Sequence, residues 1–214
     1  MPRSHPDPKY PTPYDDADLA SDSEACQRVT PTESRSPDPA HAMESIQIHL
    51  LDHSLWPGVK EAYELGRRTG EATFDDSTPT YDSFVASHID GMTLVATTST
   101  GAVAGWVGAM PVSSRAVFAG VVEISLFVHP AYQGQGIGSL LVAQAQHRAE
   151  ELGIWSIRAG IFPENHASIA VHRRAGFYPV GTYRRVGLMA FGPHAGRWRD
   201  VFMMEWRSQR VGTE

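Results

Sequence analysis

Glu123 is an isolated acidic residue in an apolar segment of the chain. It is the only Asp or Glu between Asp90 and Glu150, and it lies in the largely apolar run GlyValValGluIleSerLeuPheVal at 120–128. A carboxylate in such a strand is costly unless it is paired or faces a cavity, and burial would raise its pKa toward the range useful to a base. Glu123 is therefore a candidate general base, with a structural glutamate at a strand margin as the alternative.

A glycine-rich loop follows the same segment. The β-branched run ends at Val128, Pro130 breaks it, and glycines stand at 134, 136 and 138 before apolar residues with helical spacing. Such a strand, loop and helix leave consecutive backbone N–H groups unpaired at the positive end of the helix dipole, and glycines let a ligand approach them. We expect an anion to bind there, with an ordinary glycine-rich turn as the alternative.

The spacing of the glycines separates the classes of anion. The third glycine of the dinucleotide-binding fingerprint would fall at Ser139, and the lack of GlyLysSer or GlyLysThr in the sequence excludes a Walker-type ATP loop. Residues 128–138, ValHisProAlaTyrGlnGlyGlnGlyIleGly, resemble instead the pyrophosphate-binding signature of the Gcn5-related N-acetyltransferases. The resemblance implies an N-acetyltransferase whose cosubstrate is acetyl-CoA, with the diphosphate held by this loop.

The resemblance also implies which residues contact the cofactor. The main chain at Phe127 and Val128 would pair with the pantetheine arm and polarise the thioester, and a place in the core is the alternative for Phe127. Asn165 and Ser168 would add contacts, with a helix cap as the alternative for Asn165. The phosphate-binding amides would belong to Gln133, Gly134, Gln135, Gly136, Ile137, Gly138 and Ser139.

Two residues are implied in proton transfer. Glu123 would take a proton from the ammonium group of the acceptor, directly or through water. His172 lies seven residues after Asn165, hence on the same helix face, and stands where many family members carry a Tyr that protonates the coenzyme A thiolate. A partly exposed histidine on an Arg-rich helix is the alternative. No cysteine lies near these residues to form an acyl-enzyme, so we expect direct transfer in a ternary complex.

A narrower resemblance, to the phosphinothricin N-acetyltransferase subfamily, rests on His172 and three segments. These are PheAspAspSerThrPro at 74–79, ArgAlaValPheAlaGlyValValGlu at 115–123 and GlyArgTrpArgAspVal at 196–201. Members of that subfamily acetylate the α-amino group of glutamate-like analogues such as phosphinothricin or methionine sulfoximine.

This narrower resemblance implies the substrate site and the assembly. Phe74 would be a wall of the substrate pocket, Val201 would lie near the amine, and Arg115 would grip an acidic group of the substrate. A solvated loop charge is the alternative for Arg115. A homodimer is also implied. The competing functions are acetylation of a protein N-terminus, a Lys side chain or a polyamine, and non-catalytic binding of acyl-CoA.

The elements that must position these residues follow from hydrophobic periodicity. Their order, β-α-α-β-β-β-α-β-α-β-β, predicts a mixed α/β fold. The family resemblance implies the GNAT acyl-CoA N-acyltransferase fold, a central twisted mixed sheet of six to seven strands flanked by about four helices. Strands are predicted at 45–51, 92–97, 102–110, 120–128, 153–162, 179–190 and 198–206, and helices at 56–68, 80–89, 136–152 and within 165–177.

Residues 1–44 differ in composition from the rest of the chain. They hold eight of the fifteen prolines and, with nine Asp or Glu against four Lys or Arg, a net charge of −5 out of −6 for the whole chain. The pattern predicts a disordered acidic tail before an acetyltransferase domain at 45–214. Because the domain has no surplus of basic residues, we expect no nucleic-acid partner.

Several other features exclude classes of function. The ten histidines have no metal-ligand spacing and Cys26 is the single cysteine, so we expect neither a metal nor a disulfide framework. The uncharged stretch 91–114 is broken by ThrThrSerThrGly at 97–101, which favours a strand pair over a membrane span. With no signal-peptide pattern at the start, we expect a cytoplasmic protein whose partner is a small amine or amino acid.

Overall fold

The computed structural model describes residues 46–213, in which seven strands form one sheet with the order β1-β2-β3-β4-β5-β7-β6. The strands are β1 (Gln47–Leu50), β2 (Leu94–Thr97), β3 (Val103–Pro111), β4 (Val121–Val128), β5 (Ser156–Ile161), β6 (Tyr178–Leu188) and β7 (Trp198–Arg207). The helices are α1 (Trp56–Arg68), α2 (Tyr81–Ser87), α3 (Ile137–Glu151) and α4 (His166–Arg174).

The two central strands, β4 and β5, separate along their length. They pair in parallel, joined by the α3 crossover that a parallel pair needs, whereas the other strand pairs described are antiparallel. Their ladder ends at the pair Glu123 and Arg158, although β4 continues to Val128 and β5 to Ile161. A cleft therefore opens in the middle of the sheet beyond Glu123.

The side chains of β4 divide between two cores. Val122 and Ile124 pack in a cluster with Leu141 of α3, whereas Phe127 packs in a second cluster with Tyr63 of α1. Because successive side chains of a strand point to opposite faces, Glu123 lies on the same face as Phe127. The fold thus places the candidate base on the α1 face of the sheet and α3 on the other.

Each strand and helix predicted from the sequence occurs in the structure, in the predicted order, and the mixed α/β fold is confirmed. The ends differ by a few residues. The second helix was predicted to reach residue 89 but ends at Ser87, because His88 has an extended backbone with φ −100° and ψ 154°. The predicted tail at 1–44 lies outside the described residues. None of the helices described is long and apolar enough to cross a membrane.

Candidate functional site

The glycine-rich loop connects the end of β4 to the start of α3. A short 3₁₀ turn at Pro130–Tyr132 follows β4, and two glycines then adopt left-handed backbone conformations, Gly134 with φ +76° and Gly136 with φ +81°. Gly136 is the N-cap residue of α3 and provides no side-chain cap to the helix. These positive φ values explain why glycine is needed at both positions.

The loop leaves a row of backbone donors without acceptors. The six N–H groups from Gly134 to Ser139 make no hydrogen bond to any of residues 46–213. The side chains of Gln133 and Gln135 fold back onto the carbonyl oxygens of Val128 and Ala131, at 3.4 and 3.3 Å. A row of free amides at a helix N-terminus, with its side chains turned away, fits a phosphate or diphosphate group.

Glu123 lies where β4 and β5 begin to separate. Its side chain is half-buried, and no hydrogen bond to its carboxylate occurs within the described part of the chain. Burial raises the pKa of Glu123 and the charge of Arg158 on β5 lowers it, with a net rise. A half-buried carboxylate with no hydrogen bond and a raised pKa has the properties that a general base needs, and the role of Glu123 as the base stays a prediction.

Gly160 brings Glu123 close to Val201. A Cβ atom on Gly160 would lie 3.4 Å from Oε1 of Glu123 and 3.1 Å from Cγ1 of Val201. The absence of a side chain on β5 at this point leaves room beside the carboxylate. The structure thus brings together Glu123 and Val201, two residues that the sequence assigned to catalysis and to the substrate.

Phe74 packs against β6 and the residue that follows β5. Its ring contacts Gly187 of β6 so closely that a Cβ there would lie 2.5 Å from the ring, and it meets the edge of the Phe162 ring with centroids 4.9 Å apart. Phe162 directly follows β5, one residue beyond the pair of Ile161 with Phe202. Phe74 and Phe162 form a small aromatic wall at the end of β5.

A buried guanidinium supports this wall. Arg199 of β7 is only 6% exposed and lies 4.2 Å from the centre of the Phe162 ring. It donates to the carbonyl of Gly70 at 3.0 Å and to the carboxylates of Glu71 and Glu164 at 2.8 and 3.0 Å. The network ties the segment after α1 to β7 and to the start of α4.

Sequence reasoning did not select Phe162 or Arg199 as functional residues. Arg199 lies inside the segment GlyArgTrpArgAspVal, which the sequence analysis used only for the subfamily resemblance. Its partners could not be found there, because Glu71 and Arg199 are 128 residues apart.

Phe127 lies in the core, which was its alternative role in the sequence analysis. Its ring is stacked against those of Tyr63 and Trp106, with centroid distances of 4.7 and 4.9 Å. Phe127 and Val128 lie on the part of β4 that has separated from β5, and the side chain of Gln133 donates to the carbonyl of Val128 there. Main-chain contact of these residues with a cofactor stays a prediction.

The start of α4 is fixed by Asn165. Its Oδ1 accepts from the N–H of Ser168 at 3.0 Å, and its Nδ2 donates to the carbonyl of Glu71 at 3.1 Å. The predicted helix cap is therefore present, and cofactor contacts of Asn165 and Ser168 stay predictions.

His172 is more buried than the sequence suggested. The alternative of a partly exposed histidine is wrong, because only 2% of the residue is exposed, with its ring against the edge of Phe177. Nδ1 lies 2.8 Å from the carbonyl of Ser168, so it carries a proton, and Nε2 has no partner in residues 46–213. Burial lowers the pKa of His172. The neutral ring presents an acceptor at Nε2, and it becomes a donor there only after taking up a proton.

Arg115 is not brought to the other predicted site residues by any polar contact. It is exposed in the connection between β3 and β4, with its guanidinium 5.5 Å from the centre of the Phe118 ring. Within residues 46–213 this guanidinium makes no ion pair or hydrogen bond. This exposure fits a solvated loop charge, which was the alternative for Arg115, and contact of Arg115 with a substrate stays a prediction.

The described residues contain no group of three or more His, Cys, Asp or Glu side chains that could hold a metal ion. The polar groups of the site are instead the amides of the loop, the carboxylate of Glu123 and the guanidinium of Arg158.

Comparison with known proteins adds to this geometry. A model of the Acetyltransferase (GNAT) family matches residues 59–177, more than half of the chain. An L-methionine sulfoximine/L-methionine sulfone acetyltransferase from Salmonella typhimurium is 28% identical over 164 residues, which are 75% of this chain and 93% of the relative. An L-amino acid N-acyltransferase, MnaT, from Escherichia coli is 30% identical over 151 residues, covering 69% of this chain and 85% of the relative.

One solved structure has a similar fold. It is a GNAT superfamily phosphinothricin acetyltransferase from Sinorhizobium meliloti in complex with AcCoA, with a TM-score of 0.70 and 26% identity. The similarity covers 79% of this chain and 92% of that one.

Proposed function

This chain belongs to the Acetyltransferase (GNAT) family, and from that premise we propose that it is an acetyl-CoA-dependent N-acetyltransferase acting on a small amino acid or a close analogue. One observation carries the proposal. The cleft beside β4 has a half-buried carboxylate at Glu123 and, beyond the other end of the strand, six amides from Gly134 to Ser139, and none of these groups has a hydrogen-bond partner among residues 46–213.

The loop and β4 are the proposed binding site of acetyl-CoA, which supplies the acetyl thioester. The amides of residues 134–139 would hold the diphosphate, since they lack acceptors within the described residues and lie at the N-terminus of α3. The separated part of β4, at Phe127 and Val128, would offer main-chain groups to the pantetheine arm. Asn165 and Ser168 are assigned to the same cofactor surface.

Glu123 is the proposed general base. An ammonium group must lose a proton before its nitrogen can attack a thioester carbonyl, and Glu123 would accept that proton directly or through water. Burial raises the pKa of Glu123 toward that of the ammonium group, which makes the carboxylate a better base. The new N–C bond then forms as the C–S bond breaks and the thiolate leaves.

His172 is the proposed proton donor to the leaving thiolate. This role requires a proton at Nε2, which burial disfavours because it penalises the charged ring. His172→Phe tests the role: a loss of turnover with unchanged cofactor affinity supports it, and full activity removes His172 from the mechanism.

The proposed acceptor follows from the relatives and from the pocket walls. The Salmonella and Escherichia relatives are named for methionine sulfoximine, methionine sulfone and L-amino acids. Val201 lies close to Glu123 at Gly160, and Phe74 packs against Phe162 just beyond the end of β5; both are assigned to the acceptor site. Arg115 is retained as a residue that an acidic substrate group could draw in from the surface.

A second copy of the chain is the proposed partner. β6 is the edge strand of the sheet, and Val180, Tyr183 and Trp198, on β6 and the adjoining β7, are each more than half exposed. Exposed apolar side chains on an open edge favour pairing with another molecule. Val180→Asp should convert a dimer to a monomer in sedimentation, whereas Val117→Asp, equally exposed elsewhere, should not.

A cytoplasmic location is proposed from the single cysteine of the sequence.

The proposed function is tested by thiol release from acetyl-CoA with a panel of amino acids, methionine sulfone, methionine sulfoximine, phosphinothricin and polyamines. Glu123→Gln should lower kcat by about 10²- to 10⁴-fold and leave the Kd of coenzyme A nearly unchanged in calorimetry. Glu151→Gln, exposed at the far end of α3, is the matched control and should keep full turnover. Binding of coenzyme A without thiol release for any acceptor would leave a non-catalytic acyl-CoA-binding protein, and no binding at all would refute the cofactor site.

A further inference from the structure

Arg158 lies beside the proposed base on the neighbouring strand. Glu123 and Arg158 are the last paired residues of β4 and β5, so their side chains stand on the same face of the sheet on strands about 4.8 Å apart. Gly160, two residues further along β5, also faces this side and is next to Glu123 and Val201. Arg158 therefore lines the same surface as the base.

The guanidinium of Arg158 has donors to spare. Its Nε lies 3.7 Å from Oε1 of Glu205, and its side chain is 43% exposed. No hydrogen bond from it to another of residues 46–213 is formed. Its two Nη groups are therefore free to form the paired hydrogen bonds with which arginine binds a carboxylate.

Glu205 is held firmly enough to orient Arg158. Its Oε1 accepts from the hydroxyl of Ser156 at 2.7 Å, and its Oε2 accepts from the hydroxyl of Tyr178 at 2.5 Å. These neutral donors fix the position of the Glu205 carboxylate. The negative charge of Glu205 can therefore hold the Arg158 guanidinium in one orientation. The geometry is that of a cation held beside a base, with its outer donors unused.

We propose that Arg158 binds the carboxylate of the acceptor amino acid whose amino group meets Glu123, with Glu205 as a positioning residue for Arg158. This inference rests on the proposed acetyltransferase function and narrows its substrate class. The amino and carboxylate groups of an α-amino acid are attached to one carbon, which matches a negative and a positive side chain on adjacent strands. Arg115 is exposed and makes no polar contact with this surface among the described residues, so it does not already bind a carboxylate beside Glu123.

The same pair of charges selects against other amines. A polyamine, a Lys side chain or a protein N-terminus brings a positive charge to the site but no adjacent carboxylate, so the guanidinium of Arg158 would repel it or stay unpaired. Discrimination by a charged partner that is satisfied in one substrate and unsatisfied in another is strong. The inference therefore separates the proposed substrate class from its competitors.

The test compares two acceptors for the full chain, an amino acid and its carboxamide. The amino acid is methionine sulfone, and the carboxamide is methionine sulfone amide. Arg158→Met should lower kcat/KM for the acid about 10- to 100-fold, mainly through KM, and change the value for the amide little. Glu205→Gln should raise KM for the acid with kcat nearly unchanged. Arg210→Met, whose side chain is 72% exposed and pairs with Glu150, is the matched control and should leave both acceptors as in the wild type.

Each variant is measured on the plateau of its own pH profile, because loss of Arg158 also raises the pKa of Glu123. Calorimetry with coenzyme A confirms that the variants are folded. An unchanged KM for the acid in Arg158→Met, or an equal loss for acid and amide, overturns the inference while the proposed function stands. A wild-type protein that releases thiol with none of the acceptors overturns both.

Discussion

Replacing Arg199 by methionine should loosen the segment that follows α1. The guanidinium is 6% exposed and joins the carbonyl of Gly70 with the carboxylates of Glu71 and Glu164, while its face covers the Phe162 ring. Methionine keeps much of the apolar stem and its contact with the ring but removes all three hydrogen bonds. The variant therefore isolates the polar part of the network.

The magnitude follows from the exposure of the partners. Breaking a fully buried ion pair costs about 3–5 kcal/mol, because a charge is left uncompensated. The Glu71 and Glu164 side chains are 32% and 61% exposed, so water can solvate both carboxylates once Arg199 is gone. We therefore expect Arg199→Met to lower the free energy of unfolding by an amount near the lower limit, about 3 kcal/mol. Such a loss lowers the Tm of a chain of this size by about 6–12 °C.

The assay is thermal and urea unfolding of Arg199→Met beside Arg210→Met. Arg210 pairs with Glu150 at 3.1 Å but is 72% exposed, and such surface pairs contribute about 0–1 kcal/mol. The reasoning also predicts a higher acceptor KM in Arg199→Met, since the wall of Phe162 and Phe74 loses its support. If Arg199→Met unfolds at the same temperature as Arg210→Met, the network does not hold this segment.

Three further predictions concern space and protonation. Gly160→Ala places a Cβ 3.1 Å from Val201 and 3.4 Å from the Glu123 carboxylate, so it should raise acceptor KM and spare coenzyme A affinity; equal KM values would contradict the closeness of these groups. Because burial raises the pKa of Glu123, the folded state holds the carboxyl proton more tightly than the unfolded state. Stability therefore falls as pH rises from the pKa of Glu123 in the unfolded state through its pKa in the folded state. Glu123→Gln should remove this loss and be more stable than wild type in urea at neutral pH. Burial lowers the pKa of His88 and His172, so stability should fall as pH drops below about 6.5, and unfolding curves of His172→Gln should show a shallower fall.

Local signals in the sequence were sufficient for the loop and for the order of the elements. Gly134 and Gly136 have positive φ angles, which depend on the residues themselves, and the strand before them and the helix after them have their own periodicities. The position at which β4 and β5 separate has no such signal. It depends on the register of two strands more than thirty residues apart, and the end of the ladder at Glu123 and Arg158 is set by packing.

The same limit explains why the sequence analysis selected Arg115 and not Arg158. Resemblance pointed to Arg115, which the structure places on the exposed connection before β4, and gave no role to Arg158, which lies next to Glu123. Arg158 is 35 positions from Glu123 in the sequence, so its place beside Glu123 depends on the pairing of β4 with β5, which the sequence does not show. Helical period likewise put Asn165 and His172 on one face but gave no information on the burial of the histidine.

The positions of the two proposed binding surfaces bear on the order of the chemical steps. Val128 lies five positions along β4 from Glu123, or about 17 Å at the rise of an extended strand. The free amides lie beyond Val128, so a diphosphate held there and an amine held at Glu123 occupy opposite ends of the cleft, and an extended pantetheine arm would be needed to join them. Neither ligand would have to leave before the other binds. With the single cysteine at residue 26, far in sequence from either end, the proposed transfer runs directly from thioester to amine, with both substrates bound together.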